Sequence, residues 1–281
     1  MRDSQAGRGQ QIRALEIETN YHDSGGDGPV IVLLHGSGPG VSAWTNWKRV
    51  MPALAERARI IAPDLPGFGF TERKPDAHYD IKLWSKHLLA FLDALSLPRV
   101  SLVGNSFGGS LALAASARFA DRFERLVLMG TPCGSFVMTP GLRAGWDYTP
   151  SREAMRATMA HFPFDPAIIT DELVEDRYQA SLISGAQEGL RKLLVEPSAE
   201  GDTLLSGMPE QVVAGITTPA LVLHGREDKV IPVDMGVKLA SAMPRADLHV
   251  FARCGHWVQA ERFDEFVALT SRFLIGGDNE R

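Results

Sequence analysis

Cysteine is scarce in this chain: 281 residues hold two, Cys133 and Cys254. So few exclude a disulfide scaffold, although one bridge is arithmetically open. Neither stands at a metal-type spacing from other Cys or His residues, so no zinc site is expected. Long apolar runs are missing too. None approaches the roughly 18 residues that a bilayer demands, and the polar start, Met1 to Gln11, lacks the apolar core of a secretory signal. The expectation is a cytoplasmic protein with reduced thiols and no membrane contact. Charge of one sign never accumulates. The 29 basic and 34 acidic residues leave a net charge of −5, with no basic stripe to hold a nucleic acid. Internal repeats and low-complexity segments are absent. The ends, Met1 to Gly7 and Gly276 to Arg281, are polar and expected to fray.

What is present is an alternation of short and long apolar patterns. Val30–Leu34, Ala58–Ala62, Val100–Val103, Leu126–Met129, Ala220–Leu223 and Leu248–Phe251 are short, rich in β-branched residues and leucine, and bounded by Gly, Pro or charge. Such runs predict buried parallel strands. Ile12–Asn20 alternates apolar and polar residues, which predicts one half-exposed antiparallel edge strand. Helical spacing marks Ile81–Leu95, Phe107–Ala120, Asp234–Ala242 and Asp264–Leu274. Strand and helix in alternation imply an α/β protein with a mostly parallel sheet and right-handed crossovers. The rhythm stops between Pro132 and Met208. No strand pattern appears there, only helical pieces such as Ser151–His161 and Asp171–Ser184. The stretch is too long for a structureless loop. A helical lid at 132–208, inserted into a core of 1–131 and 209–281, is the expectation.

The strongest local signal is Gly104-Asn105-Ser106-Phe107-Gly108, a G-x-S-x-G turn with a strand before it and a helix after it. The turn strains its serine, so the flanking positions need minimal side chains, and the helix N-terminus behind it favours developing negative charge. A serine hydroxyl needs a base. Of eight histidines, His256 in Cys254-Gly255-His256-Trp257 follows the last predicted strand and can turn over the sheet's edge. The orienting acid should lie between the two in chain order. His224-Gly225-Arg226-Glu227-Asp228 supplies it after a strand, with Asp228 preferred to its neighbour Glu227 and to Asp247. The glycine-rich loop His35-Gly36-Ser37-Gly38-Pro39-Gly40 offers backbone N–H groups, and it lacks the lysine of a phosphate-binding loop. The N–H groups of Ser37 and Phe107 are the expected oxyanion donors.

Five stretches together resemble a known family. They are His35–Trp44, Gly104–Gly109, Arg177-Tyr178-Gln179-Ala180-Ser181, His224–Pro232 and Cys254–Trp257. The chain is similar along nearly its whole length to the meta-cleavage product hydrolases, α/β-hydrolases of bacterial aromatic catabolism. The resemblance implies an eight-stranded, mostly parallel sheet with a helical lid, no cofactor and no metal. It also implies a homo-oligomer, a dimer or larger. The implied reaction is hydrolysis of a carbon–carbon bond in an anionic 2-hydroxy-6-oxohexa-2,4-dienoate. Arg177 would clamp the C1 carboxylate. Asn105 and Asn46 would bond the 2-oxo end, Trp257 would pack on the dienoate, and Phe162 would line the lid side. Arg191–Met208 matches no family motif, which leaves the group at C6 open. Two other readings stand beside this one: a carboxylesterase of the same fold, and a hydrolase-fold binding protein with very low turnover.

Overall fold

The N-terminal alternating segment makes two strands, not the one expected. In the computed structural model, β1 (Gln10–Ala14) and β2 (Ile17–Asp23) pair antiparallel. They turn at Leu15 and Glu16, whose φ angles are 47° and 59°. Two-residue turns with positive φ normally carry Asn-Gly or Gly-Gly. Leu-Glu sends no such signal, so the alternation reads straight through the turn. The structure describes residues 7–74, 77–183, 185–186, 188, 191, 198 and 202–276. The ends expected to fray lie outside these, apart from Gly276 and Gly7. Gly7 is pinned rather than frayed, since its carbonyl oxygen accepts from His22 Nε2 at 3.1 Å.

The later strands follow the predicted runs. They are β3 (Val30–Leu34), β4 (Arg59–Pro63), β5 (Val100–Asn105) and β6 (Phe123–Met129). Two short strands come next, β7 (Ser135–Val137) and β8 (Leu204–Ser206), and then β9 (Ala220–Gly225) and β10 (Ala246–Phe251). One eight-stranded sheet runs β1-β2-β4-β3-β5-β6-β9-β10. In it β2 is antiparallel to both neighbours and the other pairings are parallel. One expectation needs correcting here. β10 was expected to be fully buried, but it is the outer strand, and Leu248 and Val250 are 37% and 38% exposed because no strand covers them.

Alternation along the central strands builds two cores. Val32, Leu34, Leu102 and Val222 face α3 (Ile81–Ala94), α4 (Phe107–Arg118) and α9 (Val233–Ala242). Ile31, Leu33, Val103 and Leu223 face α1 (Ala43–Trp47), α2 (Val50–Ala55) and α11 (Phe263–Ile275). Helices on both faces leave the carboxyl ends of β3, β5, β6 and β9 as the place where loops meet.

Between β6 and β9 the chain forms α5 (Pro140–Trp146), α6 (Arg152–Met159), α7 (Asp171–Ser181) and, nearer the core, α8 (Glu210–Val213). Position 184, the expected end of α7, lies outside the described residues, as do 196–197 and 199–201. No strand was expected in this stretch, yet β7 and β8 pair antiparallel at its base. Three residues each are too few to show a period. The insertion's apolar side chains (Tyr148, Met155, Met159, Phe162, Val174) pack on Val230, Ile231 and Trp257 of the sheet's loops. The short helix α10 (Val258–Glu261) follows Trp257. No described helix is long and apolar enough to cross a membrane.

Candidate active site

Ser106 stands between β5 and α4 with φ 53° and ψ −112°, a conformation L-residues avoid. The surrounding backbone forces it. A Cβ on Gly104 would lie 2.5 Å from the nitrogen of Gly109, and one on Gly108 would lie 2.2 Å from the carbonyl oxygen of Leu34. Only glycine lets the elbow sit this close to β3. The Ser106 N–H donates to the carbonyl oxygen of Met129 at 2.7 Å, which fixes the turn to the end of β6.

His256 reaches the same point from the other side. A Cβ on Gly130, the residue after Met129, would lie 2.8 Å from the His256 Nδ1 and Cε1 atoms. The imidazole therefore rests on the backbone that holds Ser106. Among the described residues Ser106 Oγ makes no hydrogen bond to His256. Such bonds are commonly long without substrate and tighten around it. His256 Nδ1 meets Asp228 Oδ2 at 2.7 Å, so Nδ1 carries the proton and Nε2 is left for the serine side.

Asp228 is held on every side. Its Oδ1 accepts from the N–H groups of Val230 and Ile231 at 2.7 and 2.9 Å. Burial alone would raise this carboxyl, but the His256 and His224 imidazoles outweigh burial and hold it well below the usual carboxylate range. Glu227, by contrast, turns to Arg226 and the N–H of Cys254. His224 is a second imidazole on Asp228, fully buried, with Nε2 3.5 Å from Oδ2 and donating to the carbonyl oxygen of Ile231 at 2.9 Å. Its place before the acid in sequence hides this contact.

The loop after β3 is set by His35. Its Nδ1 donates to the carbonyl oxygen of Gly36 at 2.7 Å, and its Nε2 accepts from the N–H of Leu65 at 2.9 Å. That pattern requires the neutral ring, and burial lowers the pKa accordingly. Beyond it, the N–H groups of Ser37 and Phe107 have no acceptor among the described residues. An alcohol, a base oriented by a carboxylate, and two free amide hydrogens are the parts of acyl-transfer chemistry.

Of the expected substrate contacts, Arg177, Phe162 and Trp257 come together. Arg177 on α7 is 4% exposed, and its Nη2 donates to the carbonyl oxygen of Pro39 at 2.9 Å. Among the described residues its Nε has no partner, nor do the side-chain nitrogens of Asn46 and Asn105. No carboxylate of the described residues pairs with this guanidinium, and burial pulls its pKa down to about 10. Lys48, just after α1, bonds Asp176 at 2.6 Å and so joins the helix of Asn46 to that of Arg177. Phe162 and Trp257 stack at 5.2 Å, with the Arg177 Cζ 5.9 and 5.5 Å from their rings.

The chain is similar to known proteins along nearly its whole length. A family model described as the alpha/beta hydrolase family matches residues 31–269. The 2-hydroxy-6-oxo-2,4-heptadienoate hydrolase of Pseudomonas putida is 48% identical over 271 residues, covering 96% of this chain and 97% of that one. The 2-hydroxymuconate semialdehyde hydrolase of a Pseudomonas species (strain CF600) is 46% identical, covering 96% and 95%. Among solved structures, a meta-cleavage product hydrolase from Pseudomonas fluorescens IP01 superposes with a TM-score of 0.87 at 42% identity, covering 95% and 97%.

Proposed function

The chain belongs to the α/β-hydrolase family and, within it, to the meta-cleavage product hydrolases, and from that membership we propose how its residues divide the work. It is an enzyme that hydrolyses a carbon–carbon bond in a 2-hydroxy-6-oxo-2,4-dienoate. The two curated relatives above are named for substrates with methyl or hydrogen at C6, and a small C6 group is the reading for this chain as well.

One observation carries the assignment of ends: among the described residues Arg177 is a buried cation with no ion pair and an unpartnered Nε. A buried charge without a partner is costly, and the C1 carboxylate supplies that partner. Asn105 and Asn46 donate to the 2-oxygen. The diene lies along Trp257, and Phe162 bounds the far side under the lid formed by 132–208. In the ketonised substrate the former enol proton sits on C5, delivered by His256. Ser106 Oγ then attacks the C6 carbonyl while His256 Nε2 takes the hydroxyl proton and Asp228 stabilises the imidazolium. The N–H groups of Ser37 and Phe107 hold the oxyanion. When the C5–C6 bond breaks, its electron pair passes along the conjugated chain to the 2-oxygen, which takes up the proton held by the His256 imidazolium and leaves His256 neutral. 2-Hydroxypentadienoate leaves. Water, deprotonated by His256, then releases the carboxylic acid from Ser106.

The working form is a homo-oligomer in the cytoplasm. The apolar exposed edge of β10 and the two buried free cysteines support that reading.

The test is a panel of dienoates differing only at C6, assayed beside a neutral ester by loss of the yellow dienolate. Hydrolysis of the methyl- and hydrogen-substituted dienoates with kcat/KM well above the ester is expected. Turnover of the ester alone would return the chain to the carboxylesterases, and no turnover of either would make it a binding protein.

A further inference from the structure

Glu261 belongs to none of the motifs above, yet it is tied to both walls of the site. It ends α10, four residues after Trp257, and its carboxylate folds back over the loop that carries His256. Oε1 and Oε2 each accept from the N–H of Gly255 at 3.0 Å, and Oε1 accepts from the N–H of Trp257 at 3.2 Å. These N–H groups belong to the residues on either side of His256. Oε2 also accepts from the N–H of Phe164 at 2.7 Å, and Phe164 belongs to the insertion. A second bond runs alongside, from the N–H of His256 to the carbonyl oxygen of Phe162 at 2.7 Å. The two segments touch so closely that a Cβ on Gly255 would lie 2.3 Å from the Phe162 carbonyl oxygen. Among the described residues its hydrogen-bond partners are three N–H donors. That is a site for a carboxylate and not for an amide, since an amide offers a single oxygen and turns its own NH₂ toward N–H groups.

We propose that Glu261 is a positioning residue that locks the His256 loop to the Phe162–Phe164 segment of the lid, so that the base and the wall of the C6 pocket keep one fixed spacing. The base and the pocket wall are otherwise on separate parts of the chain, one after β10 and one in the insertion. Without the carboxylate, the remaining His256–Phe162 bond is a single pivot. The imidazole can then swing against Ser106, and the Phe162 ring can shift against Trp257. Misplacement by about 1 Å can cost about 100-fold in rate. The carboxylate clamp at Arg177 is on a different helix and meets this segment only through its stacking on the Phe162 and Trp257 rings.

The inference rests on the reading of His256 as the base, and a neutral ester keeps the two separable. Glu261→Ala and Glu261→Gln are made in the full chain. Each is assayed on the methyl- and phenyl-substituted dienoates and on p-nitrophenyl acetate, with folding checked by thermal unfolding. The expected result for Glu261→Ala is a kcat lower by about 10- to 100-fold on dienoate and ester alike, with dienoate KM changed much less than kcat and the methyl-to-phenyl preference reduced. Glu261→Gln, which keeps one acceptor oxygen, should fall between it and the wild type. If the alanine variant does not fold, the glutamine variant decides by the same readings. A folded variant with wild-type kcat and wild-type C6 preference, whatever its melting temperature, overturns the proposal. Should the wild type hydrolyse only the ester, the function proposed above fails, while the ester kcat of the variants still tests Glu261.

Discussion

Arg177 Nη2 lies 2.9 Å from the carbonyl oxygen of Pro39, so the insertion's buried cation is anchored on the same loop that presents the Ser37 N–H. In the proposed mechanism, binding of the carboxylate and stabilisation of the oxyanion thus share one support. Arg177→Gln keeps a donor but removes the charge. Hydrogen bonds to charged groups are worth about 1.5–3 kcal/mol each, so kcat/KM for a dienoate should fall by about 100-fold or more. Hydrolysis of a neutral ester should stay near wild type. A parallel loss of both activities would mean that Arg177 supports the fold rather than the substrate.

Ser106→Gly separates stability from activity. The φ of 53° at Ser106 stores strain of about 1–3 kcal/mol. Glycine relieves part of it, so the variant should melt about 2–4 °C higher. Turnover should drop by about a million-fold, as in other triad enzymes. A lower melting temperature in the variant would show that the elbow is not strained.

Gly108→Ala probes the distance between α4 and β3. Its Cβ would meet the carbonyl oxygens of Leu34 and His35 at 2.2 and 2.7 Å, both backbone atoms that cannot step aside. The helix must move, and the Phe107 N–H moves away from that of Ser37. Any folded protein should have a kcat reduced by about 100-fold or more. Unchanged kcat in a folded variant would remove the Phe107 N–H from the proposed mechanism.

Stability should fall on mild acidification because of His87. Burial lowers its pKa from 6.5 to about 4 while Thr19 Oγ1 bonds its Nε2 at 2.8 Å. The folded value lies below the unfolded one, so the unfolded chain takes up a proton that the native chain refuses. The effect is absent above about pH 7, grows from about pH 6.5 downward, and levels off below about pH 4. At pH 5 it should amount to about 2 kcal/mol. Urea unfolding of wild type and His87→Gln at pH 7.5 and pH 5 isolates it, because the variant lacks this titration. Equal losses in both proteins would contradict the assignment.

Much of this was legible in the sequence because the physics was local. The G-x-S-x-G turn carries its own steric reason, and the buried strands announce themselves by continuous β-branched runs. Four features were not legible, each for a definite cause. The β1–β2 turn uses Leu15 and Glu16, which carry no turn signature. β7 and β8 are too short to show a period. Glu261 looks like any solvated charge at the end of an amphipathic helix, because its three donors come from residues 164, 255 and 257 and meet only once the chain has folded. His224 precedes the acid in chain order, which hides its part in the site, yet the loop between β9 and α9 turns Asp228 back onto it.

The insertion leaves and rejoins the core at almost one point. The N–H of Gly134 donates to the carbonyl oxygen of Met208, and the N–H of Gly207 donates to the carbonyl oxygen of Gly134, both at 2.8 Å. β7 and β8 continue this ladder outward. A segment joined through such a narrow neck is a cassette. Another of different length and lining would leave the register of the sheet's strands as it is, provided that it rebuilt the contacts to Pro39, Val230 and the His256 loop, so one hydrolytic engine could take a new hood.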